Sequence, residues 1–218
     1  MVQALLPHLP HLRFVLPSAP SRPVTLNGGY VMPAWYDIES LTTSRAHHAC
    51  EGLEGSAAYI GKLMTEEVLA GVPHSRQAVT GFSQGGALAL FTGLLAAPPV
   101  AGVGCLSGYL PRAEEVVATL PPSAVHTPVW FGHGEADDVV LPAWGAESAD
   151  AVRAMGVKDV AWSTYRHVGH EVHPEELAAF AAWLGGVLPD DVQAPAVAAA
   201  AEAQAASQGL RQPAALPQ

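Results

Sequence analysis

The 218 residues are 50% hydrophobic and 14% charged, a balance that suits one domain with a substantial core and excludes disorder as its default state. A formal net charge of −10, without any run of Lys or Arg, excludes nucleic acid and anionic membrane surfaces as natural partners. Two cysteines, Cys50 and Cys105, fit buried thiols in a reducing compartment, so a cytoplasmic location is expected.

Met1 to Pro10 is apolar but has no basic start and is interrupted by Pro7 and Pro10, so it does not read as a signal peptide. No stretch of about 18 apolar residues occurs, so stable membrane insertion is not expected. His11–Leu16 reads as a buried strand ended by Pro17 and Pro20. A long loop through Pro23, Asn27-Gly28-Gly29 and Pro33 leads to Trp35-Tyr36-Asp37, and loops of this length are usually functional. From Glu51 to Leu69 a helix is expected, with Leu53, Ala57, Ile60 and Met64 on one row, Val68 one step off it, and Gly71 and Pro73 as its stop. The strand Gln77–Thr80 precedes a helix from Gly85 to about Ala97. Further strands are expected at Val100–Leu106, Val125–Phe131 and Asp159–Tyr165. Helices are expected at Pro111–Leu120, Ala143–Met155 and from Pro174, the last with Leu177, Phe180, Ala181 and Leu184 on one face. Alternating strands and helices imply an α/β fold, a mostly parallel sheet with helices on both faces. The domain is expected to span residues 1–188. Residues 189–218, mostly Ala, Gln and Pro, read as a disordered or loosely helical tail.

Between strand and helix stands Gly81-Phe82-Ser83-Gln84-Gly85, the G-x-S-x-G pattern of a nucleophile elbow. So sharp a turn requires glycine at its flanks, where a Cβ would meet the neighbouring strand or helix, and it lifts Ser83 Oγ above the sheet. A serine hydroxyl needs a base, and the base an orienting acid. On such a sheet the chain order is Ser, acid, His, each after a strand. Asp137 and His170 satisfy that order. Asp137 also reads as a turn residue, and Glu135 and Asp138 are alternative acids. His167 and His173 are alternative bases, although His173 beside Pro174 suits a helix cap better. The sets His167/His170/Glu171/His173 and His47/His48/Cys50 lack the spacing of common zinc sites, and no metal or other cofactor is expected.

Together these segments resemble the acyl-protein thioesterase and phospholipase/carboxylesterase family of α/β-hydrolases. Gly81 to Gly86 resembles its nucleophile segment. Ala19 to Asn27 with Met32 to Asp37 is similar to its long loop, His133 to Val140 to its acid loop, and Tyr165 to His170 to its histidine loop. The resemblance implies hydrolysis of long-chain acyl thioesters and esters, with S-acylated proteins or lysophospholipids as substrates. Ser83 would attack, His170 would carry the proton, Asp137 would orient the imidazole and the Gln84 N–H would be one oxyanion donor. Trp35 is expected either to wall the acyl groove or to serve as ordinary core.

The family's first strand and its His-Gly-x-Gly-Asp loop, which supplies a second oxyanion N–H, have no counterpart in the sequence. An N-terminally truncated hydrolase is therefore expected, of low solubility, with the strands around Phe14 and Val79 either left with open edges or paired directly. The alternative function is a hydrolase-like shell that binds lipid or protein without turnover.

Overall fold

The computed structural model describes residues 1–40 and 48–190, and within it Met1–Leu188 forms one compact unit. The expected tail beyond Asp190 and the candidate ligand His47 lie outside the described residues. A short α1 (Val2–Leu5) is followed by β1 (Ser21–Val24), β2 (Tyr30–Pro33), α2 (Leu53–Leu69), β3 (Ala78–Phe82) and α3 (Gln84–Leu94). Then come β4 (Gly102–Leu106), α4 (Ala113–Thr119), β5 (Val129–Gly134), α5 (Pro142–Ala154), β6 (Val160–Tyr165) and α6 (Pro174–Val187). Strands β3-β4-β5-β6 form a four-stranded, wholly parallel sheet in chain order.

Side chains along each strand alternate between two cores, as a pleat with period two requires. Val79, Val103, Cys105, Val129, Phe131 and Trp162 face a core shared with α2, α3 and α5. Ala78, Phe82, Leu106, Trp130 and Ala161 face a second core built on α1 and α6. Helices thus cover both faces, as expected for strands this apolar. In α3 every residue from Gly86 to Leu94 is buried, which is why it shows no polar stripe. On the opposite face Trp130, Phe180 and Trp183 pack ring against ring at 5.2–6.4 Å.

The stretch His11–Leu16 is not a strand. It carries no ladder bonds, Leu12 and Phe14 resting on the second core while Val15 and Leu16 are exposed. It does not pair with β3, whose one sheet neighbour among the described residues is β4. An apolar run specifies burial; a strand additionally needs a partner in register. The long loop contains an antiparallel hairpin, β1 with β2, turned by Thr25–Asn27 and left-handed Gly28 and Gly29. Its prolines, Pro23 and Pro33, are tolerated because a two-stranded ribbon is all edge. The strand expected from Val125 begins at Val129, after a 3-10 turn over Pro122–His126, and runs on to Gly134. Among the described residues no helix is long and apolar enough to cross a membrane.

Candidate active site

The C-terminal ends of β3, β5 and β6 open on one edge of the sheet, where the loops of an open α/β sheet build sites. Ser83 follows β3 directly and takes φ 54°, ψ −122°, a conformation few non-glycine residues adopt. A Cβ on Gly81 would lie 2.3 Å from the Gly85 main chain, and one on Gly86 2.9 Å from Cys105 Sγ and from the Gly81 carbonyl. Gly85 differs from the expectation: a Cβ there would meet nothing closer than Trp35 Nε1 at 3.8 Å. The tight approach lies at Gly81 and Gly86, whereas Gly85 fronts open space beside the serine.

The acid and histidine loops are joined by main chain. Glu135 N–H donates to the Tyr165 carbonyl and Ala136 N–H to the Val168 carbonyl, both at 2.9 Å, extending the β5–β6 pairing past the strands. Asp137 is buried, with Oδ1 accepting the N–H groups of Val139 at 3.0 Å and Val140 at 2.9 Å. Its Oδ2 stands 2.8 Å from His170 Nδ1. His170 Nε2 stands 2.9 Å from Ser83 Oγ. The consistent assignment has Nδ1–H donating to the carboxylate and Nε2 accepting from the hydroxyl. The imidazole also rests on the Phe82 ring, centroids 4.8 Å apart.

The alternatives named from the sequence lie elsewhere. Asp138 and Glu135 are exposed, Glu135 accepting from the Thr164 hydroxyl at 2.8 Å. His167 is exposed with φ 60°. His173 caps α6 in a capping box with Glu176, as its place before Pro174 suggested. Cys50 and Cys105 are buried and not joined in a disulfide, and burial pushes the Cys105 thiol far up, which makes it inert.

Gln84 begins α3, so its N–H has no acceptor within the helix. The Ser83 N–H, by contrast, is taken by the Leu106 carbonyl at 2.8 Å. Trp35 is half-buried against the first core.

Two buried groups beneath Asp137 were not singled out from the sequence. His133, fully buried on β5, donates to the Val140 carbonyl at 2.8 Å and lies 3.4 Å from Asp137 Oδ2. Burial outweighs these partners and holds its pKa below the usual histidine value, so the ring is neutral. Glu176 is fully buried with Oε1 unpartnered, and burial, helped by the Asp137 charge, pushes its pKa up to about 7. The strand expected to end at Phe131, with His133 in the following loop, in fact runs on to Gly134 and buries His133. Glu176 sits next to the apolar row of α6, and only the tertiary structure puts it under the acid loop.

A parallel sheet covered on both faces, with a serine elbow after one strand and an acid and a histidine after later ones, defines an α/β-hydrolase. Comparison with known proteins makes the class narrower. Residues 2–187 match the model of the phospholipase/carboxylesterase family. Acyl-protein thioesterase 1 of Mycosarcoma maydis is 41% identical over 194 residues, covering 84% of this chain and 81% of that protein. Its namesake in Yarrowia lipolytica is 37% identical over 177 residues, covering 81% and 78%. The crystal structure of Zea mays acyl-protein thioesterase 2 superimposes with a TM-score of 0.68 at 32% identity, over 79% of this chain and 80% of that one. Arabidopsis thaliana SOBER1 gives 0.73 at 28% identity, over 80% and 83%. The chain belongs to the phospholipase/carboxylesterase family of α/β-hydrolases and is an enzyme of the thioesterase/carboxylesterase class, cleaving thioester or ester bonds.

Proposed function

We propose that the chain cleaves long-chain acyl thioesters, with S-acylated cysteines of proteins as its main substrates, through a triad of Ser83, His170 and Asp137. The observation that carries this reading is the pair of ring bonds of His170, 2.8 Å to Asp137 and 2.9 Å to Ser83. The resemblance to acyl-protein thioesterases supports the substrate class.

The chemistry follows from the geometry. Ser83 Oγ attacks the acyl carbonyl carbon as its proton passes to His170 Nε2, and Asp137 stabilises the imidazolium through Nδ1–H. The carbonyl oxygen, now anionic, is met by the Gln84 N–H, and one such donor is worth about 10²–10³ in rate. Collapse breaks the carbon–sulfur bond, and the thiolate takes the proton from His170. A thiol, with a pKa of about 8.5, needs less help in leaving than an alcohol does. Water, deprotonated by His170, then attacks the acyl-serine and releases the carboxylic acid and a free Ser83. Trp35, half-buried beside the elbow, walls the acyl site. The buried thiols suit a cytoplasmic enzyme.

The test is labelling with a fluorophosphonate, read by peptide mapping, beside turnover of a palmitoylated peptide and of lysophosphatidylcholine. Labelling at Ser83 and release of palmitate, both abolished in Ser83→Ala, are expected. A folded sample that labels nowhere refutes the triad; labelling with turnover of lysophosphatidylcholine alone assigns the enzyme to lipid esters instead.

A further inference from the structure

The residue after the nucleophile is engaged through its side chain as well as its main chain. Gln84 Oε1 accepts the Trp35 N–H at 2.9 Å, and Gln84 Nε2 donates to the Tyr36 carbonyl at 2.8 Å. A primary amide is the neutral side-chain group that can accept and donate side by side, and here it bonds a main-chain segment as an adjoining strand would. From α2, the buried Ser56 hydroxyl donates to the Trp35 carbonyl. Both main-chain polar groups of Trp35 are thus held by side chains of two different helices. The next residue, Tyr36, is buried, its hydroxyl 2.6 Å from that of Tyr109.

The indole that these bonds position is itself half-buried, with Nε1 3.8 Å from where a Cβ on Gly85 would lie. Its main chain is fixed while its ring fronts the open side of the elbow. Gln84 therefore connects two parts of the reaction: its N–H lies at the oxyanion position, and its carboxamide sets where the wall of the acyl site stands.

We propose that the Gln84 carboxamide is a positioning residue for acyl-chain selectivity, clamping Trp35 and Tyr36 against the first turn of α3. This rests on the hydrolase reading above. Substituting Gln84→Met keeps the main-chain N–H and the side-chain length but removes both bonds, and Gln84→Ala removes the bulk as well. Steady-state kinetics on p-nitrophenyl acetate and p-nitrophenyl dodecanoate, with amide exchange at Trp35, give independent readouts.

In both variants KM for the dodecanoyl ester is expected to rise about tenfold more than KM for the acetyl ester, since two hydrogen bonds that fix the wall are lost. The Trp35 amide is expected to exchange about tenfold faster, while the amides of β4 and β5 keep their protection. On a Trp35→Ala background, Gln84→Met should no longer change the ratio of the two KM values. A loss shared equally by both esters, or a Trp35 amide as protected as before, would overturn the proposal. If the unsubstituted chain turns over neither ester, the hydrolase reading and the selectivity claim both fall. An active enzyme with flat selectivity refutes the clamp alone.

Discussion

The elbow makes opposite predictions for two glycines of one motif. In Gly81→Ala the new methyl would lie 2.3 Å from the carbonyl carbon and oxygen of Gly85 and 2.7 Å from Gly86 N, all main-chain atoms. Ordinary contacts are about 3.5–4.0 Å, so the strand and the start of α3 must separate by more than about 1 Å. Overpacking of this kind costs about 1–3 kcal/mol, and an obstacle that cannot change rotamer puts this case at the upper end. For a domain of this size about 3 kcal/mol lowers Tm by about 6–12 °C. The same movement shifts Ser83 Oγ away from His170, so fluorophosphonate labelling should slow together with the fall in Tm. In Gly85→Ala the methyl meets only Trp35 Nε1, at 3.8 Å, and the position is helical. Alanine there should hold or raise stability by about 0.5–1 kcal/mol through helix propensity and lost chain entropy. Thermal and urea unfolding of the two variants, with labelling rates on the same samples, decide the matter. Equal melting of both variants and the parent, or greater damage from Gly85→Ala, would refute the steric account of the elbow.

Asp137→Asn should keep the turn, because a carboxamide oxygen still accepts from Val139 and Val140. Its NH2 then faces His170 Nδ1 and imposes the tautomer that cannot accept from Ser83, so kcat should fall about 10⁴-fold with little change in KM, by analogy with the same change in a well-studied triad. The Glu176 carboxyl, raised by burial from 4.5 to about 7, holds a proton in the folded state that the unfolded chain releases earlier. Its contribution to stability is therefore full below about pH 4.5 and is lost as pH rises through about 7, a change of about 3 kcal/mol. Urea unfolding of Glu176→Gln at about pH 5 and about pH 8 should show that part of the pH dependence gone. His133 acts in the opposite sense. Its depressed pKa contributes stability above the ordinary histidine value of 6.5 that is lost as pH falls, and His133→Gln should lessen the acid sensitivity.

Much of this arrangement was legible in the sequence because its determinants are local or follow chain order. Gly81, Ser83 and the flanking apolar runs specify a strand, a turn and a helix within a few residues. Asp137 and His170 were identified by where they fall after a strand, and His173 by the proline behind it. What was not legible depends on partners far away in the chain. His11–Leu16 has the composition of a strand, but composition cannot supply the neighbouring ladder. The β1–β2 hairpin was hidden by Pro23 and Pro33, which count against a strand only where both edges must bond. The motif reads Gln84 as a main-chain donor. Nothing in G-x-S-x-G says that its carboxamide reaches residues 35 and 36, nearly fifty positions earlier.

The turn role of Asp137 and the acid role proposed for it use one arrangement. Oδ1 is taken by the Val139 and Val140 N–H groups, which closes the turn after β5 and fixes the carboxylate, and Oδ2 is thereby aimed at His170. Its neighbours Glu135 and Asp138 are exposed, and Glu135 Oε1 accepts from the Thr164 hydroxyl instead. Main-chain bonds then tie acid loop to histidine loop, through Glu135 with Tyr165 and Ala136 with Val168, and tie the elbow to β4, through Ser83 with Leu106. The relative placement of Ser83, Asp137 and His170 is thus tied to the sheet and its extensions by main-chain bonds. Trp35 and Tyr36 lie outside that sheet, and Gln84, Ser56 and Tyr109 hold them through side chains. Side-chain bonds can be lost one at a time without unfolding the ladder. In the proposed mechanism the chemistry rests on groups that main-chain bonds hold, and the choice of acyl chain on Trp35 and Tyr36, which a single substitution can release.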